Sequence, residues 1–105
     1  MVVLHDIVHR LPHQDRFVLG HQLYKAGLSI PNNIAEGCAK RSRKDYVRFL
    51  EISLGSALEI QSMFLITRRL DLFDQTQQTD LDQRIAEIVR MLRSLIQHNR
   101  QRISG

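Results

Sequence analysis

The sequence predicts an all-α domain, and three observations carry that expectation. Apolar residues recur at helical steps of three and four along most of the chain. Two prolines and five glycines among 105 residues are too few turns for a many-stranded β fold. Hydrophobic residues make up 43% of the chain, enough for a core and too many for a disordered polypeptide. At 12.3 kDa, residues 1–105 read as one domain.

Four helical segments account for the chain. The first runs from about Val2 to Leu11 and stops at Pro12, whose predecessor is pushed away from helical ψ. The second starts near Asp15, an N-cap candidate, and runs towards Gly37. Leu19, Leu23, Ala26, Ile30 and Ile34 form one face of it. Pro31 lies inside this pattern and predicts a kink or break near residues 27–30, because proline removes a donor and clashes one turn back. Gly37 suits the position just past a helix end. The third segment follows Ser42, which with Asp45 resembles a capping box, and runs to about Leu70. The fourth follows Thr79 or Asp80 and reaches about Arg102. Its ladder is Leu81, Ile85, Ile88, Leu92 and Leu95, widened by Val89 and Ile96.

The third segment departs from the ordinary amphipathic pattern. From Tyr46 to Leu65 its apolar residues cover an arc of about 240°, against roughly 100° for a surface helix. One small bundle cannot cover so much surface. The expectation is burial on two sides, against its own bundle and against another subunit. Gly55, Ser56 and Ala57 would allow a neighbouring helix to approach closely there.

Little in the chain points to catalysis or to a cofactor. His5, His9 and His13 are spaced by four, and the first two share a face that could bind a metal, but Pro12 interrupts the geometry before His13 and a solvated polar stripe is the better account. No glutamate has a histidine three residues on, so a di-iron bundle is excluded. Cys38 stands alone, which excludes an internal disulfide and a cysteine-based zinc site. There is no Gly-rich phosphate loop and no Gly-x-Ser-x-Gly elbow. The expectation is a protein that is not an enzyme and holds no metal or cofactor. The unbroken apolar runs are only a few residues long, which gives no membrane span. Met1-Val2-Val3-Leu4 is interrupted at once by His5 and Asp6, so no signal peptide is visible and the expected location is cytoplasmic.

Charge is the clearest functional signal. Fifteen basic residues against eleven acidic ones give +4 with His neutral, a mild bias towards polyanions. Lys40, Arg41, Arg43, Lys44 and Arg48 crowd residues 40–48 with only Asp45 opposing them. A solvated loop and first helical turn is the simplest account, although free helical N–H groups beside Ser42 suit a phosphate. Arg90, Arg93, Gln97 and Arg100 form a polar stripe opposite the fourth ladder. Arg68 and Arg69 end the third segment, where the helix dipole already favours cations. A second polar strip, Gln22, Lys25, Ser29, Asn33 and Glu36, falls on one side of the second segment, and Glu51 and Glu59 share the narrow polar side of the third with Arg48. Inter-helix bonding and satisfaction of backbone groups freed by Pro31 explain that strip better than catalysis does.

Ser29-Ile30-Pro31-Asn32-Asn33-Ile34-Ala35-Glu36-Gly37 resembles the signature of the proteins encoded in intervening sequences of bacterial 23S ribosomal RNA genes. Pro12, Asp15-Arg16, Leu19, Gln22-Leu23 and Ala26 extend the match on one side. Phe49-Leu50, Gly55-Ser56-Ala57 and Glu59 resemble the second block, so residues 12–61 are covered. Lys25 stands where arginine is common and Ser53 where alanine is common, and the first segment is about two turns short. The accessory proteins of diversity-generating retroelements look like relatives. The resemblance implies an antiparallel up-and-down four-helix bundle, here with a short first helix, that assembles into a ring-shaped homo-oligomer, commonly a pentamer. It implies structural roles for Ser29, Pro31, Asn32, Asn33, Glu36, Gly37, Gly55 and Glu59. Because the retroelement proteins bind nucleic acid, it also implies a scaffold that binds RNA or DNA through basic patches: Lys40, Arg41, Arg43, Lys44, Arg48, Arg90, Arg93 and Arg100. The rival expectation is an interaction module that recruits a partner protein without nucleic acid.

Overall fold

A computed structural model describes residues 13–104, with side-chain surroundings from 18 to 103. The described residues form three helices and no strand: α1 (His13–Cys38), α2 (Arg43–Arg69) and α3 (Gln75–Ser104). The all-α expectation holds. The first of the four expected segments, with His5, His9 and the side chain of His13, lies outside the described residues. The four-helix count therefore stands here as three.

The helices run up, down and up. Ser53 of α2 bonds to Ile30 of α1 and Ser56 to Ser29, so numbers rise on one helix as they fall on the other. Arg43 meets Asn99, and Thr67 meets Gln78, with the same antiparallel sense between α2 and α3. Helix α2 packs against both neighbours, whereas α1 and α3 do not meet. The core is a seam along α2: Leu23 and Ala26 from α1, Val47, Leu50, Ala57, Ile60, Met63 and Phe64 from α2, and Leu81, Ile85, Val89, Leu92 and Ile96 from α3. Its place in the middle explains why α2 is long and apolar enough to pass, by length and composition, for a membrane span. Between α1 and α3 a channel of about 540 Å3 remains, lined by Gly27, Ile30, Ile60, Phe64, Ile85 and Ile88 among others.

The helix ends follow local chemistry. Ser42 caps α2, its hydroxyl accepting the Asp45 N–H at 3.0 Å. The α3 start differs from the expected Thr79 or Asp80. Asp74 accepts the Gln77 N–H at 2.8 Å while the Gln77 side chain accepts the Asp74 N–H at 3.3 Å. That reciprocal box begins α3 a full turn earlier, and its Asp-x-x-Gln signature was legible. Helix α2 ends with Leu72 N–H on the Thr67 carbonyl and Asp71 N–H on the Arg68 carbonyl, both at 3.1 Å. This is a Schellman stop whose left-handed position is occupied by Asp71, at φ 53°, instead of glycine.

Pro31 does not break α1, which continues through it as an α-helix. The Ser53 hydroxyl donates to the Ile30 carbonyl at 2.9 Å, tying α2 to α1 beside the proline. Gly37 is likewise not the residue beyond a helix end. It lies buried in the last turn of α1 with no left-handed φ. A Cβ there would stand 2.9 Å from Tyr46 Cδ1 and 3.0 Å from Phe49 Cβ, so glycine permits the close approach of α1 and α2.

In α3 the buried ladder is Gln78, Leu81, Ile85, Val89, Leu92, Ile96 and Asn99. Val89 and Ile96 are central, while Ile88 and Leu95 are only half-buried. The expected stripe was thus centred slightly off the true one, because the side of α3 facing the channel is also apolar. The two polar members are satisfied. Gln78 donates to the Phe64 carbonyl and receives the Thr67 hydroxyl, both at 3.0 Å, and Asn99 donates to the Leu95 carbonyl at 2.7 Å.

Candidate nucleic-acid interface

The antiparallel order brings the end of α1, the start of α2 and the end of α3 to one end of the bundle. Lys40, Arg41, Arg43, Lys44 and Arg48 therefore join Arg93, Arg100 and Arg102 there. The two patches that are separate in sequence meet directly: the Arg43 guanidinium donates to the Asn99 side chain at 2.6 Å, and Arg100 pairs with Glu51 across α2 and α3. Arg90 lies higher on α3, towards the middle of the bundle. The opposite end carries Asp71, Asp74, Asp80 and Asp82 against Arg68, Arg69 and Arg84, so among the described residues that end has no basic excess.

The cations differ in availability. Lys40 pairs with Glu36 at 3.7 Å and stands 5.3 Å from the Phe49 ring centre. Arg48 lies 4.0 Å from the Asp45 carboxylate and 4.7 Å from the Phe49 ring centre. Cation–π contacts of this kind hold the two long side chains against the surface. Arg41, Lys44, Arg90, Arg93 and Arg102 have no hydrogen bond or ion pair among the described residues. These five, all exposed, are the cations best placed to meet an external anion.

Two recesses open at this end. One, of about 430 Å3, lies at the α1–α2 turn between Gly37, Lys40, Arg43, Tyr46 and Asn99. Burial, reinforced by neighbouring Cys38, pushes the Tyr46 phenol above its ordinary value of 10.0, which keeps it neutral in ordinary buffers. The other is a groove of about 780 Å3 between α2 and α3, with Leu54 and Ile96 among its apolar lining and Glu51, Arg93, Gln97 and Arg100 among its polar lining. No group of three His, Cys, Asp or Glu side chains suited to a metal occurs among the described residues.

The residues of the first sequence motif sort into different roles. Asn33 donates to the Ser29 carbonyl at 2.8 Å and to its hydroxyl at 3.0 Å, and Ser29 receives the Ser56 hydroxyl at 2.7 Å. Asn32 is exposed and makes no hydrogen bond among the described residues, and Glu36 reaches only Lys40. Of the strip expected to bond between helices, Ser29 does so, through Ser56 of α2, whereas Asn33 and Glu36 bond within their own stretch of chain; Ser53 makes the second cross-helix bond. Small hydroxyls do this because the helices approach too closely for longer side chains. Gly55 faces open space, with nothing within 4 Å of a Cβ built on it, and Glu59 is exposed on the same outer side of α2.

The described residues are thus those of an all-α protein with one basic end. The family model for the 23S rRNA-intervening sequence protein matches residues 1–94, and the chain belongs to that family. No curated protein matches the chain.

Proposed function

We propose that the chain is a non-enzymatic cytoplasmic scaffold that assembles with copies of itself, as a ring of five, and binds RNA or DNA through its basic end. The observation that carries this reading is the collection of Lys40, Arg41, Arg43, Lys44, Arg48, Arg93, Arg100 and Arg102 at one end of the bundle. A ring repeats that end around an axis, so weak phosphate contacts act together at high effective concentration. The likeness to retroelement accessory proteins favours the same partner.

Contacts to phosphate dominate such a surface, so binding is weakly sequence-selective and falls steeply with salt. The test is a titration of an RNA hairpin, a single-stranded DNA and a duplex DNA at low and moderate salt. Wild type is compared with an Arg41→Glu, Lys44→Glu variant and an Arg90→Glu, Arg93→Glu variant. Salt-sensitive binding that both variants weaken supports the reading. Absence of binding to all three probes at low salt overturns it and leaves the second reading, a module that recruits a partner protein. That alternative draws on exposed Leu28 and Met91, 48% and 50% accessible.

A further inference from the structure

The basic end contains one acid placed differently from the rest. Glu36 and Asp45 pair within their own turns of chain, with Lys40 and Arg48. Glu51 instead reaches across to Arg100 on α3, and the pair stands on the wall of the groove between α2 and α3. The same groove offers the unpaired Arg93 and the amide of Gln97, over an apolar floor that includes Leu54 and Ile96. Arg93 and Arg100 are two turns apart on one helix, so their guanidinium groups address neighbouring positions along the groove. A carboxylate on a guanidinium makes the same charge-assisted bonds that a phosphate would make.

Resting on the nucleic-acid reading above, we infer that this groove seats a backbone phosphodiester, and that Glu51 is a built-in competitor for it. Glu51 holds Arg100 in place in the free protein, and an incoming phosphate must displace its carboxylate. Both partners are substantially exposed, with side-chain accessibilities of 60% for Arg100 and 44% for Glu51, so the exchange takes place in water. An exposed ion pair is individually weak, which makes it displaceable. The consequence has a sign opposite to the loss expected when surface charges are removed at random: neutralising Glu51 strengthens binding.

The experiment measures binding of a labelled RNA hairpin to wild type, Glu51→Gln, Glu51→Ala and Glu87→Gln at two salt concentrations. Glu87 is an exposed acid on α3 outside the groove, so its variant raises the net charge equally without touching the site. Both Glu51 variants should bind about three- to fivefold more tightly than wild type, in keeping with the upper size of exposed charge interactions. Glu87→Gln should stay within about twofold, the screened effect of a distant charge. In an Arg100→Gln background the Glu51→Gln gain should disappear, because the group that Glu51 occupies is gone. Circular dichroism identifies any variant that has lost its fold, and the second Glu51 substitution guards against that outcome. Wild-type binding that both folded Glu51 variants leave unchanged or weaken overturns the inference while the nucleic-acid reading stands. A gain equal to that of Glu87→Gln also overturns it, as a net-charge effect. Absence of binding by every protein overturns both.

Discussion

Gly37 shows how a single position sets the distance between two helices. Its hydrogen is all that separates the α1 backbone from Phe49 Cβ, and that atom is attached directly to the α2 backbone. A flexible side-chain tip would move aside, but a Cβ moves only with its helix. Gly37→Ala gains up to about 1 kcal/mol of helix propensity, yet it overpacks a tight contact at a cost of roughly 1–3 kcal/mol. The net expectation is a loss of about 1 kcal/mol, a fall in Tm of roughly 4–8 °C for a domain of this size. Thermal unfolding followed by circular dichroism checks it. Gly55 is the contrasting case. With nothing near its built Cβ, Gly55→Ala should leave the fold intact and reveal by any change in assembly whether another copy uses that notch.

At the level of the helices, ends rather than interiors distinguish this sequence. Asp74 and Gln77 satisfy each other's backbone donors and begin α3 before its apolar ladder does, so a reading led by the ladder places the start too late. The end of α2 is less well served. Asp71 holds a left-handed φ of 53° in the Schellman turn, a conformation that glycine adopts without steric cost. Asp71→Gly should therefore stabilise the protein by about 0.5–1 kcal/mol, with no change in helix content. A lower Tm in the variant would show that the Asp71 carboxylate has a stabilising role of its own. Pro31 teaches the complementary lesson. Helix α1 continues through it, and α2 lies alongside with Ser53 bonding to the neighbouring Ile30 carbonyl.

Among the described residues, α2 is sheathed on the sides facing α1 and α3 and bare on the other. Ile52, Leu65 and Ile66 are 43%, 57% and 47% exposed, with Gly55 between them. An apolar band of this kind is a liability on a lone chain, which favours a second copy as its cover. Leu65→Lys with Ile66→Lys should leave the circular dichroism spectrum unchanged. In light scattering the same variant should fall from several times 12.3 kDa to that mass. A wild-type protein already at 12.3 kDa at micromolar concentration would exclude self-association through this face.

The division between what was legible and what was not follows physical lines. Helix class, the extent of α2, its Ser42 cap and the excess apolar arc of α2 are local properties, set by the 3.6-residue period and by side chains within one turn of the backbone they serve. The sequence by itself determined those, together with the crowding of cations at residues 40–48. It also carried the family motif, although not the roles within it, since Ser53 and Ser56 act where Asn32 and Glu36 were expected. Only the tertiary structure decided that Pro31 would be tolerated, that Gly37 is a contact rather than a stop, and that Glu51 would face Arg100. Each of these depends on which residue of another helix lies opposite, and that register is settled by the packing of the whole seam along α2, not by any stretch of chain alone.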